Sequence, residues 1–155
     1  MRIRLLTITH KIPHWIQSGC EEYIKRIHPF FNLEIIEISA EKRSPNADIP
    51  RIIEKEGKKM LALIKPDHHV IALDVKGEQW STEKLSQNMS QWMQDGKTID
   101  LLIGGPEGLS PLCLARAQEK WSLSLLTFPH TLVRLILAEQ LYRAMSIIQH
   151  HPYHK

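Results

Sequence analysis

Cysteine is nearly absent from this 155-residue chain: there are two, Cys20 and Cys113, far apart and without a Cys-x-x-Cys spacing. That excludes a disulfide framework and a zinc cluster, and points to a reducing compartment. No apolar run nears the roughly 20 residues a membrane span requires. The N-terminus, MRIRLLTITHKIP, carries charges within its first four residues and only a short apolar run, unlike an export signal. The expectation is a soluble, cytoplasmic protein. Linkers, repeats and low-complexity segments are also lacking, so residues 1–155 read as a single domain, within the usual range of about 100–200 residues. An excess of one charge is missing too. Twenty Lys and Arg against 17 Asp and Glu leave +3, with nine histidines uncounted, which permits a polyanionic partner without demanding one. At 43% hydrophobic and 24% charged, the composition is that of a globular domain and excludes disorder, collagen and coiled coil.

What is present is an alternation of apolar runs and helical patterns. Residues 3–8, 32–38, 69–75, 99–104 and 123–128 read as strands, the fourth a continuous apolar run of the kind buried on both faces of a parallel sheet. Between them, helices are expected over 13–28, 50–64, 81–94, 110–120 and 130–149, with Ser81 and Ser110 as caps and Asp95-Gly96 as a stop. The polar stretch EKRSPNAD (41–48) reads as a loop. Strict β/α alternation predicts an α/β domain with a mostly parallel sheet flanked by helices. In the last helix Val133, Leu137, Leu141, Ala144, Met145 and Ile148 form one apolar sector. Leu132, Leu135, Ile136, Tyr142 and Ile147 lie on the opposite arc, interleaved with Arg134, Glu139, Arg143 and Ser146. That mixed arc suits a subunit interface; the alternative is a helix enclosed by its own monomer.

Ligands of open α/β sheets bind beyond the carboxyl ends of the strands. Three such ends are unusual here: Leu73-Asp74-Val75-Lys76-Gly77, Ile103-Gly104-Gly105-Pro106-Glu107-Gly108-Leu109, and Leu126-Thr127-Phe128-Pro129-His130. Glycines in the second allow a ligand to approach the backbone. It is not a phosphate loop, because it matches neither Gly-x-Gly-x-x-Gly nor the P-loop pattern, has no lysine, and Glu107 would repel a phosphate. Backbone groups presented to an adenine or a zwitterion suit it better, and a plain glycine turn is the bland alternative. The chain closes on HHPYHK. Its histidines invite a metal reading, yet no carboxylate or thiol stands near and a tail has nothing to orient the ligands, so no metal is expected. It is either a frayed end or an aromatic and imidazole group brought to an active site.

Taken in order, KRSPNADI (42–49), KEG (55–57), GGPEGLS (104–110), WSLS (121–124), LTFPH (126–130), LVRLILAEQLYRAMSI (132–147) and HPYHK (151–155) resemble the SPOUT-class methyltransferases. Within them they are most similar to the bacterial family that methylates N3 of a pseudouridine in large-subunit ribosomal RNA, and the resemblance covers essentially the whole chain. It implies an α/β-knot fold with a C-terminal trefoil knot, a homodimer, and S-adenosylmethionine as cofactor. The pocket it implies uses Leu73, Gly104, Gly105, Leu123, Ser124, Leu125, Leu126, Thr127 and Phe128. The candidates for catalysis are His154 as base or orienting group, Arg143 as electrostatic stabiliser and Tyr153 as a stacking or hydrogen-bonding group, because an imide N–H must lose its proton to become a nucleophile. For Arg143 the ordinary alternative is an i,i+4 pair with Glu139, worth only about 0.3–0.5 kcal/mol. Lys42 and Arg43 are candidate RNA contacts, within residues 1–60, where basic residues exceed acidic ones by 11 to 8. The expected partner is large-subunit rRNA, presented in part by the folded ribosome. Two other readings stay open: a SPOUT enzyme acting on tRNA, and a non-enzymatic ribosome-binding module.

Overall fold

The alternation resolves into five strands and five α-helices in a computed structural model that describes every residue, Met1–Lys155. In chain order these are β1 (Arg2–Thr9), α1 (His14–Ile27), β2 (Asn32–Ser39), α2 (Ile49–Leu61), β3 (His69–Gln79), α3 (Thr82–Asp95), β4 (Thr98–Ile103), α4 (Pro111–Arg116), β5 (Glu119–Ser122) and α5 (His130–Ile148). A 3-10 turn at Pro152–His154 ends the chain. All strand pairs are parallel, in the order β2-β1-β4-β3-β5. The chain thus returns to the middle of the sheet at β4 before β5 takes the far edge, which is the mostly parallel, helix-flanked α/β class expected.

The pleat divides the core in two. Ile3, Leu5, Ile71, Ile99, Leu101 and Ile103 face α1, α3 and α5, while Leu6, Ile8, Val70 and Leu102 face α2 and α4. Local chemistry sets the helix ends. Asp48, Ser81 and Ser110 accept hydrogen bonds from the backbone N–H of Arg51, Lys84 and Cys113, satisfying first-turn donors. Gly96 ends α3 in the left-handed conformation, φ +66°. On the α2 face Arg4 and Asp100, register partners on β1 and β4, form a buried pair with Nε–Oδ1 at 2.6 Å, and His68 Nδ1 lies 2.7 Å from the other carboxylate oxygen.

Four sequence readings need correction. The run 123–128 is a loop; the fifth strand is the preceding EKWS, and the helix expected over 110–120 stops at Arg116. Serine chemistry explains the difference: Ser122 Oγ donates to Ser124 O, and Ser124 Oγ accepts from Leu126 N, both at 3.0 Å, so side chains take the bonds a ladder would have used. β3 runs on to Gln79, with a bulge that sets both Leu73 and Glu78 opposite Trp121. Arg134, placed on the outer arc of the last helix, is 2% exposed. It donates to Glu37 at 2.8 Å and to the hydroxyl of Thr9, at the carboxyl ends of β2 and β1. The inner sector holds as read, with Leu137, Leu141, Ala144 and Met145 fully buried.

Candidate active site

The carboxyl ends of β3 and β4 and the 122–128 loop enclose a cleft of about 560 Å³. Its walls come from all three unusual strand ends: Leu73 and Asp74, the loop 103–109, and Ser122–Ser124 with Leu126–Phe128 and His130. Of the nine residues expected to form the pocket, eight line it. Leu125 does not; its side chain is 86% exposed and points away.

The glycine loop has its composition for a steric reason. Gly105 and Gly108 form a bridge, with Gly108 N donating to Gly105 O at 3.0 Å, and Gly108 has φ +88°. A Cβ on Gly104 would sit 2.5 Å from the Gly108 carbonyl carbon. The loop therefore doubles back against itself and offers backbone, not side chains, to the cleft. Glu107 at its tip pairs with Arg43, which holds the Glu107 carboxyl below the usual carboxylate range. His130, at the start of α5, was not singled out from sequence although it closes the third unusual strand end. Burial pushes its imidazole below the ordinary histidine value, and the nearby cations Arg134 and Arg43 add to this, so it is neutral at neutral pH.

The tail lies elsewhere. At about 1.5 Å per residue, the 19 residues of α5 separate its His130 end from its Ile148 end by about 28 Å. No residue of the tail lines the cleft. The tail is nevertheless not frayed. Tyr153 packs edge-on against Tyr142, ring centroids 4.6 Å apart, and its hydroxyl lies 3.1 Å from that of Tyr23 and 3.3 Å from Glu139 Oε1. Arg143 forms the i,i+4 pair, Nε donating to Glu139 Oε1 at 2.8 Å, while its guanidinium lies 5.0 Å from the Tyr153 ring centre. Burial first, then the Tyr23 hydrogen bond and the Glu139 charge, push the Tyr153 phenol above its ordinary value. Tyr153 is thus a hydrogen-bond donor and not a base at neutral pH. Nδ1 of His154 is buried without a partner within the chain. Of the three sequence candidates for catalysis, Arg143 and Tyr153 come together around Glu139 and His154 follows Tyr153 in the chain; none of them lines the cleft. The tail histidines do not join other ligands, and no cluster of three His, Cys, Asp or Glu forms.

The two candidate RNA contacts part ways. Lys42 is exposed, whereas Arg43 is fastened to Glu56 and Glu107.

Comparison with known proteins decides the family. The family model described as "Predicted SPOUT methyltransferase" matches residues 1–154. Over all 155 residues, and the whole of each relative, the chain is 49% identical to proteins named ribosomal RNA large subunit methyltransferase H from Chromohalobacter salexigens and Marinomonas sp.. It is 45% identical to the protein of that name from Pseudomonas aeruginosa, again over both full lengths. This chain belongs to the SPOUT methyltransferase family. Among solved structures, a probable methylase family protein from Haemophilus influenzae superposes with a TM-score of 0.57 at 10% identity, covering 99% of this chain and 70% of that one. A methylase family protein from Neisseria gonorrhoeae gives 0.55 at 12% identity, covering 91% and 81%. These two show the shared fold. In this SPOUT methyltransferase the cleft is a concave cavity of ligand size lined by apolar and polar residues in about equal measure. The tail places the Tyr153 phenol beside the Arg143 guanidinium. No helix is long and apolar enough to cross a membrane.

Proposed function

We propose that this chain methylates N3 of a pseudouridine in large-subunit ribosomal RNA, with S-adenosylmethionine as methyl donor, working as a homodimer on the assembled ribosome. The observation that carries the reading is the cleft. Its volume lies within the roughly 300–1,000 Å³ of small-molecule sites, and the Gly104–Gly108 turn leaves backbone groups free to meet an adenine or an amino-acid moiety. Leu73, Leu123 and Phe128 supply apolar walls and Ser124 and Thr127 polar groups. When bound, S-adenosylmethionine supplies an electrophilic methyl group on a sulfonium.

The chain supplies position and proton handling. Holding the imide nitrogen in line with the methyl provides much of the rate. His154 takes or orients the N3 proton, Arg143 offsets the charge that develops as it leaves, and Tyr153 stacks on or hydrogen-bonds the base. Glu139 orients the last two. A site that needs both the cleft and the tail is incomplete in one chain, because α5 holds them about 28 Å apart. Two copies related by a twofold, with their α5 helices antiparallel, bring each tail to the other's cleft. The half-buried Leu132, Leu135 and Ile136 and the exposed Leu125 and Leu126 suit that interface. On the RNA side the exposed Lys42 is the better contact.

The deciding experiment adds purified protein and isotopically labelled methyl donor to ribosomes from cells lacking the protein, followed by nucleoside mass mapping. One methyl on a pseudouridine of the large-subunit RNA is expected, with protein-free rRNA a far poorer substrate. Label in tRNA alone would replace this reading with the tRNA one, and a chain that binds ribosomes but transfers nothing would be a binding module.

A further inference from the structure

Beside the cleft a single side chain ties three segments together. From Nη1, Arg43 donates to Glu41 O and Glu56 Oε2, each at 2.9 Å. From Nη2 it donates to Glu56 Oε1 at 2.9 Å and Glu107 Oε2 at 2.8 Å, and from Nε to Glu107 Oε1 at 3.0 Å. Every N–H of the guanidinium is engaged, by two carboxylates and one carbonyl.

The two ends of this bridge differ. Glu56, on α2, is 3% exposed and also accepts the Glu41 N–H at 2.9 Å, so it is fixed in the body of the domain. Glu107 stands at the tip of the glycine loop, and its side chain bonds to Arg43 alone. The loop has little else to hold it. Outside regular elements its backbone makes one hydrogen bond, Gly108 N to Gly105 O, and three of its five residues are glycines whose freedom must be restrained from outside. The guanidinium also lies directly against the loop: a Cβ on Gly105 would be 3.2 Å from Arg43 Nη2.

We infer that Arg43 is a positioning residue for the cleft, holding the 104–108 loop through Glu107, with Glu56 as anchor, in the place where its backbone meets the methyl donor. The inference rests on the cleft being the S-adenosylmethionine site. It also accounts for an arginine here, since a planar fork serves two carboxylates at once and an ammonium does not. Arg43 touches neither the donor nor the reacting atoms. Its contribution is a loop already in place before binding, which lowers the ordering cost of binding itself.

The test is calorimetric titration of S-adenosylmethionine into the wild type and the variants E107A, E107Q and R43K, with the unfolding midpoint of each measured without ligand. E107A leaves the Arg43–Glu56 pair intact, so the fold is kept. Loss of a charge-assisted tie is expected to weaken its donor affinity about tenfold at an unchanged midpoint. E107Q keeps an acceptor and falls between the two, and R43K behaves as E107A. In turnover the KM for the donor rises while kcat at saturation stays near wild type, the signature of lost uniform binding. A folded E107A with wild-type affinity overturns the inference, as does a lowered midpoint with affinity intact, which would make Arg43 a purely structural brace. A wild type that binds no S-adenosylmethionine overturns the reading of the cleft itself, and that arm is read before any variant.

Discussion

At its amino end α5 borders a cavity that backbone largely shapes. Glycines fold a loop back on itself, and one arginine fixes it from behind. At its carboxyl end the same helix carries a convex cluster made entirely of side chains, in which Tyr153, Tyr142, Tyr23, Arg143 and Glu139 hold one another by rings and hydrogen bonds. The first arrangement can recognise a ligand without help from another chain. The second is a set of side chains held by one another, none of which lines the cleft. On the proposed reading the cleft and the tail, about 28 Å apart on one helix, complete a site only when two copies pair, and each half is accordingly expected to fail in its own way.

The largest effect is expected at the tail. His154→Ala should slow single-turnover methyl transfer to ribosomes by about 10²–10⁴-fold, the usual cost of a lost general base, with cofactor affinity kept. Affinity falling in parallel would show that tail and cleft are not separate halves. Next comes the loop. Gly104→Val places carbon where Gly108 backbone already lies, so cofactor binding should become undetectable by calorimetry while the fold survives. Mixing the two inactive proteins then tests the pairing directly. If the tail acts across the twofold, a mixed dimer contains one intact cleft facing one intact tail, and activity returns. If each chain serves itself, no complete site forms at any mixing ratio.

Much of the cleft half was legible in the sequence, because its signals are local. GGPEG sits after an apolar strand, caps stand where the helices begin, and turn chemistry acts over a few residues. Even there an apolar run misled: LSLLTF has the composition of a strand, but Ser122 and Ser124 turn it into the loop that walls the cleft, and the true strand, EKWS, is short and mostly polar. Arg134 was misplaced, and the ties of Arg43 were missed, for a different reason. A charge looks solvent-facing until its partners are known, and these include residues 125 and 64 positions away. The tail was recognised as chemically loaded, yet composition holds no distance, and its separation from the cleft follows only once α5 is built. What sequence conveys least is which surface faces a second copy.

A smaller effect sharpens the role of Tyr153. Its phenol is raised above the ordinary value of about 10, so the neutral form is the working one throughout the physiological range. Tyr153→Phe keeps the ring edge-on against Tyr142 and removes only the hydroxyl bonds to Glu139 and Tyr23. A loss of about 1 kcal/mol, or roughly fivefold in rate, is expected, and the shape of the pH–rate profile should not change. A variant that removes an alkaline limb from the profile would show the tyrosine titrating, and with it a proton-transfer role.

The smallest effect concerns His130, at the cleft end. Burial, Arg134 and Arg43 depress its imidazole, while Glu107 and Glu56 act in the opposite sense. The folded state therefore binds the proton more weakly than the unfolded chain, whose histidine titrates near 6.5. Above that pH both states are neutral there and the residue contributes its full share of stability. As pH falls below it, the unfolded chain gains a proton first, and stability drains away until the folded value is passed. Between about pH 7.5 and 5.5, His130→Gln should flatten the fall of the unfolding midpoint by no more than the uptake of one proton allows. An unchanged slope in His130→Gln would mean that the cleft wall is open enough for the imidazole to protonate freely, and the cleft would then be a wetter, looser cavity than its glycine loop and arginine tie describe.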